Sequence, residues 1–281
     1  AELRWISGGF LGVEVFFVIS GYLITSLLLV EWHQSGFIAL EDFWMRRARR
    51  LLPALFVSVV GILAFALLFL PQEVASLRGD ALAAFGYVSN WYLVLEHKSY
   101  FESVGRPSLL RHLWSLAVEG QFYLLWPLLF TASMQRWRRH YVVLAVLGAA
   151  AASIALMAIL YQPDADPSRV YYGTDTRAAG LLIGAALAFV LDLGKPQDRA
   201  MGRPQGRSGR AFPLLLDAVG LAALGALICL YLWLGEFEPF LYQGGLAFVA
   251  LVTAVLIAIA VHPCAHLGPG LLGRQPWRWI G

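Results

Sequence analysis

A carboxylate lies inside an otherwise apolar stretch, LRHLWSLAVEGQFYLLWPLL, which runs from residue 110 to residue 129. On a helix, His112, Ser115 and Glu119 occupy positions i, i+3 and i+7 and therefore share one face. Because an ionised carboxylate is costly to bury in lipid, this face is expected to turn toward a bundle interior or a wet cavity. Acids inside membrane helices are usually functional, so we predict a reactive or substrate-binding Glu119. The alternative is a glutamate that pairs with a neighbouring helix for structure alone.

The same three residue types form the active sites of serine hydrolases, in which a histidine and an acid activate a serine. Ser115 is not set in a nucleophile elbow. Three residues on one helix also rarely point at a common atom. The sequence therefore argues against a hydrolase triad in this stretch.

The composition is that of an integral membrane protein. Of the 281 residues, 59% are hydrophobic and 14% are charged, whereas about 25% are charged in an ordinary soluble domain. Cys229 and Cys264 form neither a CxxC pair nor a Cys/His ligand pattern, so we expect no disulfide framework and no bound metal. The lipid bilayer is the expected surrounding, and no nucleic-acid partner is expected.

Seven apolar runs are each close to the ~20 residues that a helix needs to cross a bilayer. They cover residues 10–30, 51–70, 113–134, 141–160, 176–193, 213–234 and 241–261. An eighth run, Ala81 to Leu95, offers only about 15 residues and contains Asn90, which favours a re-entrant or interfacial helix. We therefore predict an all-α, polytopic transmembrane helix bundle of about seven spans plus one re-entrant or interfacial helix, forming a single domain over residues 1–281.

Basic stretches indicate the orientation of this bundle. If the eighth run does not cross, MRRARR (45–50), RWRR (136–139), KPQDRAMGRPQGRSGR (195–210) and GRQPWR (273–278) all fall on one face. The positive-inside rule makes this face cytoplasmic and the N-terminus external. We therefore expect a multi-pass protein of the cytoplasmic (inner) cell membrane, with a mobile inner loop over residues 194–212.

A second acid lies at the start of the first run, in GGFLGVEVFFVISGYLI (8–24). The small residues of this stretch allow close helix packing. Glu14 lies a few residues from the outer boundary, at a depth similar to that expected for Glu119. It is a second candidate catalytic carboxylate, and a helix cap or a partner of an outer arginine is the structural alternative.

Four arginines occupy five positions at the inner end of the second run, in FWMRRARRLLPAL (43–55). Pro53 is expected in the first turn of that helix, where its missing N–H costs nothing. Because the planar guanidinium group binds phosphate through paired donors, the cluster is a credible clamp for a phosphorylated donor on the cytoplasmic side. A topological anchor that also touches anionic lipid is the alternative. The members of the cluster are Arg46, Arg47, Arg49 and Arg50.

The stretch YYGTDTRAAGLLIG (171–184) opens a later span with two charges near the outer face. Asp175 and Arg177 are two residues apart and so do not face each other on a helix. Each is expected to find another partner, either in an outer cavity or in an ordinary ion pair at the membrane interface.

Three of these stretches, in this order and spacing, resemble the integral-membrane acyltransferase 3 family, which O-acylates surface polysaccharides, lipopolysaccharide, peptidoglycan and some antibiotics. DTRAAGLLIG is similar to a later segment of the same family. The family pattern FxxRRxxRxxP falls on Phe43, Arg46, Arg47, Arg50 and Pro53. The pattern WSLxVExQFY falls on Trp114, Ser115, Leu116, Val118, Glu119, Gln121, Phe122 and Tyr123.

The resemblance implies an enzyme that moves an acyl group, in particular acetyl, from cytoplasmic acyl-CoA to a hydroxyl of a cell-surface glycan or glycolipid on the outer face. Acyl-CoA is the donor substrate, and no bound cofactor is implied. The candidate catalytic residues are Glu119, Glu14, Ser115 and Trp114, and the four arginines are the candidates for acyl-CoA binding. The residues expected in an outer, acceptor-binding cavity are His112, Gln121, Tyr123, Asp175 and Arg177.

Members of this family open with a helix that carries a histidine expected to act in catalysis, and this chain begins after that helix. The last family span also has no counterpart after Trp279. We therefore expect a fragment that lacks the first and last spans and is inactive by itself. A proton-coupled secondary transporter would also bury carboxylates and carry inner arginines, but two repeated halves with paired interrupted helices are not evident.

Overall fold

The computed structural model describes residues 7–100, 108–163, 165–193, 211–235 and 237–265, and within these ranges the protein consists of ten α-helices without strands. In chain order the helices are α1 (Gly12–Ser35), α2 (Leu40–Phe69), α3 (Val74–Phe85), α4 (Ser89–Leu95), α5 (Leu113–Arg136), α6 (Arg139–Leu160), α7 (Ser168–Tyr172), α8 (Thr174–Leu193), α9 (Ala211–Trp233) and α10 (Leu246–Ala260). The predicted all-α fold is confirmed.

Six helical stretches in the described ranges are long and apolar enough to cross a membrane. They are Gly9–Ser35, Leu40–Phe69, Arg139–Leu160, Thr174–Asp192, Phe212–Trp233 and Leu241–Ala260. α5 corresponds to the predicted span over residues 113–134 and has 24 residues, which is long enough to cross, but it is not among the six helices that are also apolar enough. The chain is therefore a polytopic helical membrane protein, as predicted.

The segment predicted to stop short of crossing folds into two short helices. α3 has 12 residues and α4 has 7, both well below the ~20 residues of a span. The turn between them contains Tyr87 with a positive φ of 53°. This turn returns the chain toward α5, which α4 contacts.

α2 begins at Leu40, well before the apolar run that predicted it. Glu41 and Asp42 occupy its first turn, where acidic side chains favour a helix N-terminus. The prediction that Pro53 lies in the first turn is therefore wrong, because Pro53 lies inside this 30-residue helix. As a result, the arginine cluster is helical, and Arg47 lies ~10 Å along the helix axis from Leu40.

The chain forms two compact units, one of residues 27–179 and one of residues 1–26 with 180–281. In the first unit, α5 is central, since it contacts α2, α3, α4 and α6. The apolar core beside it consists of Leu55, Val59, Ala66, Leu77, Ala81, Ala84, Leu110 and Leu113. A buried side chain on α5 is thus surrounded by residues from several helices of this unit.

In the second unit, α9 packs against α10 and against the 3₁₀ turn Ser7–Leu11. The parts of α1 and α8 that belong to this unit approach each other through glycines. A Cβ atom added to Gly21 would lie 1.9 Å from the carbonyl oxygen of Leu181, and one added to Gly184 would lie 2.0 Å from that of Val18. Only glycine permits such an approach of two helix backbones.

Gly184→Ala is therefore expected to push α1 and α8 apart and to lower stability by about 1–3 kcal/mol, the usual cost of overpacking. Gly61→Ala in α2 is the matched control, because the position of its Cβ is open and alanine is a better helix former than glycine. Thermal unfolding of the two variants in detergent measures the difference. Equal melting temperatures would contradict the role assigned to the glycine contact.

Candidate functional site

A cavity of about 430 Å³ lies beside the second and third turns of α2. Its lining combines cationic and apolar side chains, namely Leu27, Val30, Glu31, Gln34, Phe43, Arg46, Arg47 and Arg50. Of the predicted cluster, Arg49 is not part of this lining among the described residues. The structure thus brings three of the four predicted arginines together, and we call this site the arginine cavity.

The arginines of the cavity are held in different ways. Arg46 Nη2 lies 3.2 Å from Glu31 Oε2, and Glu31 Oε1 accepts a 2.8 Å hydrogen bond from the backbone N–H of Ala39. Because the Arg46 side chain is 60% exposed, this ion pair is weak and leaves the cation available to an anionic ligand. Arg47 instead lies over two rings, with its Cζ atom 5.9 Å from the centroid of Phe43 and 5.8 Å from that of Tyr123.

Tyr123 connects the arginine cavity to the buried acid of α5. Its hydroxyl donates a 2.9 Å hydrogen bond to Glu119 Oε1, and Glu119 is only 2% exposed. The indole N–H of Trp44 donates to the carbonyl oxygen of Tyr123 at 3.1 Å, which ties α2 to α5 at this level. Tyr123, expected in an acceptor-binding cavity, therefore lies between Arg47 and Glu119.

Tyr87 forms another wall beside Glu119. Its ring packs on the backbone of Gly120, where an added Cβ would lie 2.2 Å from Tyr87 Cδ1. Gln121 fixes the same turn by donating a 2.9 Å hydrogen bond from Nε2 to the carbonyl oxygen of Tyr87. Burial, and then the nearby charge of Glu119, raise the pKa of Tyr87. Tyr87 thus presents a neutral phenol at physiological pH.

Gln121 belongs to a hydrogen-bond network that joins α4, α5 and α8. Its Nε2 donates to Asn90 Oδ1 at 3.0 Å, and its Oε1 accepts from the Thr174 hydroxyl at 2.6 Å. Asn90 Nδ2 completes the network by donating to Thr174 Oγ1 at 2.9 Å and to the carbonyl oxygen of Tyr172 at 3.1 Å. Gln121, expected to bind an acceptor, therefore holds helices together.

Arg177 and Trp114 lie together in a buried aromatic cluster. The Arg177 Cζ atom is 5.9 Å from the ring centroid of Trp114 and 4.9 Å from that of Tyr171. The rings of Trp114 and Tyr171 are 4.9 Å apart, and Tyr100 and Tyr172 pack against both. Arg177 is only 1% exposed. A cation is thus held in a desolvated site, where it acts strongly on any developing negative charge.

Asp175 pairs with Arg169 of α7 rather than with Arg177. The two contacts are 3.1 Å from Arg169 Nη1 to Oδ1 and 2.8 Å from Nη2 to Oδ2, a bidentate geometry. Both side chains are about a third exposed, so the pair adds little stability. This arrangement fits the interpretation of Asp175 as part of an ordinary ion pair.

The three residues of the predicted polar face, His112, Ser115 and Glu119, differ in exposure. α5 begins at Leu113, so His112 lies in the preceding turn and is exposed. The Ser115 hydroxyl donates to the carbonyl oxygen of His112 at 3.2 Å, while Glu119 is buried. This placement gives no support to a catalytic Ser115.

Glu14 lies in the compact unit formed by residues 1–26 and 180–281, and it is 3% exposed. It occupies the first turn of α1, where a carboxylate is favourably placed relative to the helix dipole. A Cβ added to Gly180 would lie 2.2 Å from Glu14 Oε1, so the carboxylate lies directly against the backbone of α8. Glu14 is therefore a buried acid, and its catalytic role stays a prediction.

Sequence reasoning missed several members of these contacts, among them Glu31, Trp44 and Tyr87, and it noted Asn90 only as a polar residue in an apolar run. The position of Trp44, two residues before Arg46, was an available signal, whereas Glu31 lies 15 residues before Arg46 and gave none. The predicted basic stretches 195–210 and 273–278 and the predicted mobile loop 194–212 lie partly or wholly outside the described residues. In the part of the chain that is described, no group of three or more His, Cys, Asp or Glu side chains could hold a metal ion.

Comparison with known proteins identifies the family. The model of a family described as an acyltransferase domain matches residues 1–280. Peptidoglycan O-acetyltransferase OatA of Listeria monocytogenes is 44% identical over 282 residues, which cover 100% of this chain and 44% of the relative. For the putative peptidoglycan O-acetyltransferase YrhL of Bacillus subtilis, identity is 41%, and 100% of this chain covers 43% of the relative.

O-acetyltransferase OatA of Staphylococcus aureus is 39% identical, with 99% of this chain and 44% of the relative aligned. The chain thus spans less than half the length of these curated relatives. No solved structure matches the chain. The predictions of an acyltransferase domain and of a multi-pass protein of the cell membrane are confirmed. The family model matches nearly every residue, and the fold is that of a helical membrane protein. The chain therefore belongs to the acyltransferase 3 family.

Proposed function

We propose that this chain is part of an enzyme that transfers an acetyl group from cytoplasmic acetyl-CoA to a hydroxyl of a cell-wall polymer of the peptidoglycan class on the outer face of the membrane. The observation that carries this proposal is a buried carboxylate, Glu119, joined through Tyr123 to an arginine-lined cavity. The names of the relatives support the acceptor and the acetyl group. They point to peptidoglycan rather than to lipopolysaccharide.

The arginine cavity suits an acyl-CoA donor. Its volume of about 430 Å³ falls in the usual range of small-molecule sites. Arg46, Arg47 and Arg50 would bind phosphate oxygens through their N–H donors. The apolar side chains of Leu27, Val30 and Phe43 would contact the uncharged pantetheine arm.

In the proposed reaction, Glu119 accepts the proton of the acceptor hydroxyl as its oxygen attacks the thioester carbonyl. The tetrahedral intermediate then expels the CoA thiolate, which takes up that proton, and the acetyl ester is released. Arg177 and the indole N–H of Trp114 would stabilise the negative charge on the carbonyl oxygen. His112, Gln121 and Asp175 remain predicted acceptor contacts, and Glu14 remains a predicted second catalytic acid.

The alternative function, that of a proton-coupled secondary transporter, is not favoured by family membership. It would explain a buried acid, but it would not require three arginines around one cavity.

Labelled acetyl transfer tests the proposal. Membranes that contain the full-length gene product, and matched membranes without it, are supplied with acetyl-CoA labelled in the acetyl group and with peptidoglycan fragments. Base-labile label in the glycan fraction of the first sample alone is the expected result. Label in lipopolysaccharide but not in peptidoglycan would contradict the acceptor, and uptake without any ester formation would favour the transporter.

A further inference from the structure

We infer that Tyr123 is a positioning residue for acyl transfer, which couples the arginine cavity to the carboxylate of Glu119. The inference rests on the proposed function, because it gives Tyr123 a role only if the cavity holds the donor and Glu119 takes the proton.

Tyr123 uses both ends of its side chain. The face of the ring carries the Arg47 guanidinium, with Cζ 5.8 Å from the centroid, while the hydroxyl donates to Glu119 Oε1 at 2.9 Å. The backbone is fixed as well, since the Trp44 indole N–H donates to the Tyr123 carbonyl oxygen at 3.1 Å. One side chain thus contacts both a residue that lines the cavity and the candidate base.

The hydrogen bond has two effects on Glu119. It occupies Oε1 and thereby fixes the orientation of the carboxylate group, which proton transfer at hydrogen-bond distance requires. It also stabilises the charged form of the carboxylate, the form that can accept a proton. Among the described titratable and charged groups of this unit, Arg47 from α2 and Tyr87 from the turn between α3 and α4 also act on Glu119.

The cation on the ring couples the arginine cavity to the hydrogen bond on Glu119. A positive charge over the ring draws electron density from the phenol and makes its hydroxyl a stronger donor. An anionic donor substrate that neutralises Arg47 weakens this effect. Donor binding at Arg47 is thus transmitted to the carboxylate of Glu119 through the side chain of Tyr123.

Tyr123→Phe is the first test, because it removes the hydroxyl and keeps the ring under Arg47. In the full-length gene product, we expect kcat to fall about 10- to 100-fold, as for the loss of one hydrogen bond to a charged group. The KM for acetyl-CoA should stay unchanged, and the acid limb of the pH–kcat profile should move to higher pH. Tyr123→Leu, which also removes the ring, should in addition raise this KM. Tyr141→Phe, an exposed tyrosine of α6, is the matched control.

A double variant separates this inference from the proposed function. If Tyr123 acts through Glu119, adding Tyr123→Phe to Glu119→Gln should cause no further loss of kcat, whereas a merely structural role would give additive losses. Additive losses, or wild-type kcat with an unshifted pH profile in Tyr123→Phe, would overturn the inference alone. Wild-type kcat in Glu119→Gln would overturn the proposed function itself.

Discussion

Glu119→Gln is expected to lower the turnover of acetyl transfer by about 10²–10⁴-fold, the usual contribution of a general base. The amide keeps the size of the side chain and can still accept the hydrogen bond from Tyr123 through its carbonyl oxygen. It can neither carry a negative charge nor take up a proton at physiological pH. A large loss of kcat with normal insertion would therefore report on proton transfer rather than on packing.

Glu41→Gln is the matched control for this experiment. Glu41 is an exposed acid in the first turn of α2 and does not line the arginine cavity. The two variants are compared by initial rates at saturating acetyl-CoA, and their elution profiles in detergent check that both remain folded. Comparable rates for the two variants would return Glu119 to the role of a structural acid.

The burial of Glu119 could be predicted from the sequence because it depends on local information. An acid within an apolar helical run must avoid lipid, and the helix period places it on a definite face. The surroundings of Glu119 were not predictable in this way. Tyr87 and Arg47 come from other segments of the chain, and no short-range spacing brings them to α5.

The arginine cluster illustrates the same limit within a single helix. The sequence alone suggested four equivalent cations in a stretch that ends where the apolar run begins. Once α2 is known to start at Leu40, the helix period separates them, since Arg46 and Arg50 are four residues apart and Arg47 lies beside them. Arg49 lies on the other side of Arg46 and is absent from the cavity lining.

Long-range hydrogen bonds account for the other departures from prediction. Asn90 was recognised only as a polar residue in an apolar run, and Gln121 only as part of a motif. Their contacts with each other and with Thr174 join three helices that are far apart in the sequence. Buried amides must find partners, but the sequence does not indicate which ones.

The double substitution Arg47→Ala with Arg50→Ala is expected to weaken acetyl-CoA binding by about 10²–10⁴-fold, because each arginine lost removes a charge-assisted contact of the kind that strengthens phosphate binding. Both residues line the arginine cavity, whereas Arg49 does not. Arg49→Ala is therefore the matched control, and its acetyl-CoA affinity should be that of the unsubstituted protein. Titration of the purified protein in detergent measures these affinities directly.

A second ligand shows whether phosphate groups are what the arginines bind. Acetyl-pantetheine has the thioester and the pantetheine arm of acetyl-CoA but carries no phosphate. Its affinity should be low and should change little between the unsubstituted protein and the double variant, because no charge-assisted contact is lost. If Arg49→Ala weakened acetyl-CoA binding as much as the double substitution does, the distinction between Arg49 and the arginines that line the cavity would be wrong. The whole cluster would then act as a basic anchor at the membrane surface, since such an anchor depends on the number of charges rather than on the face of the helix that carries them.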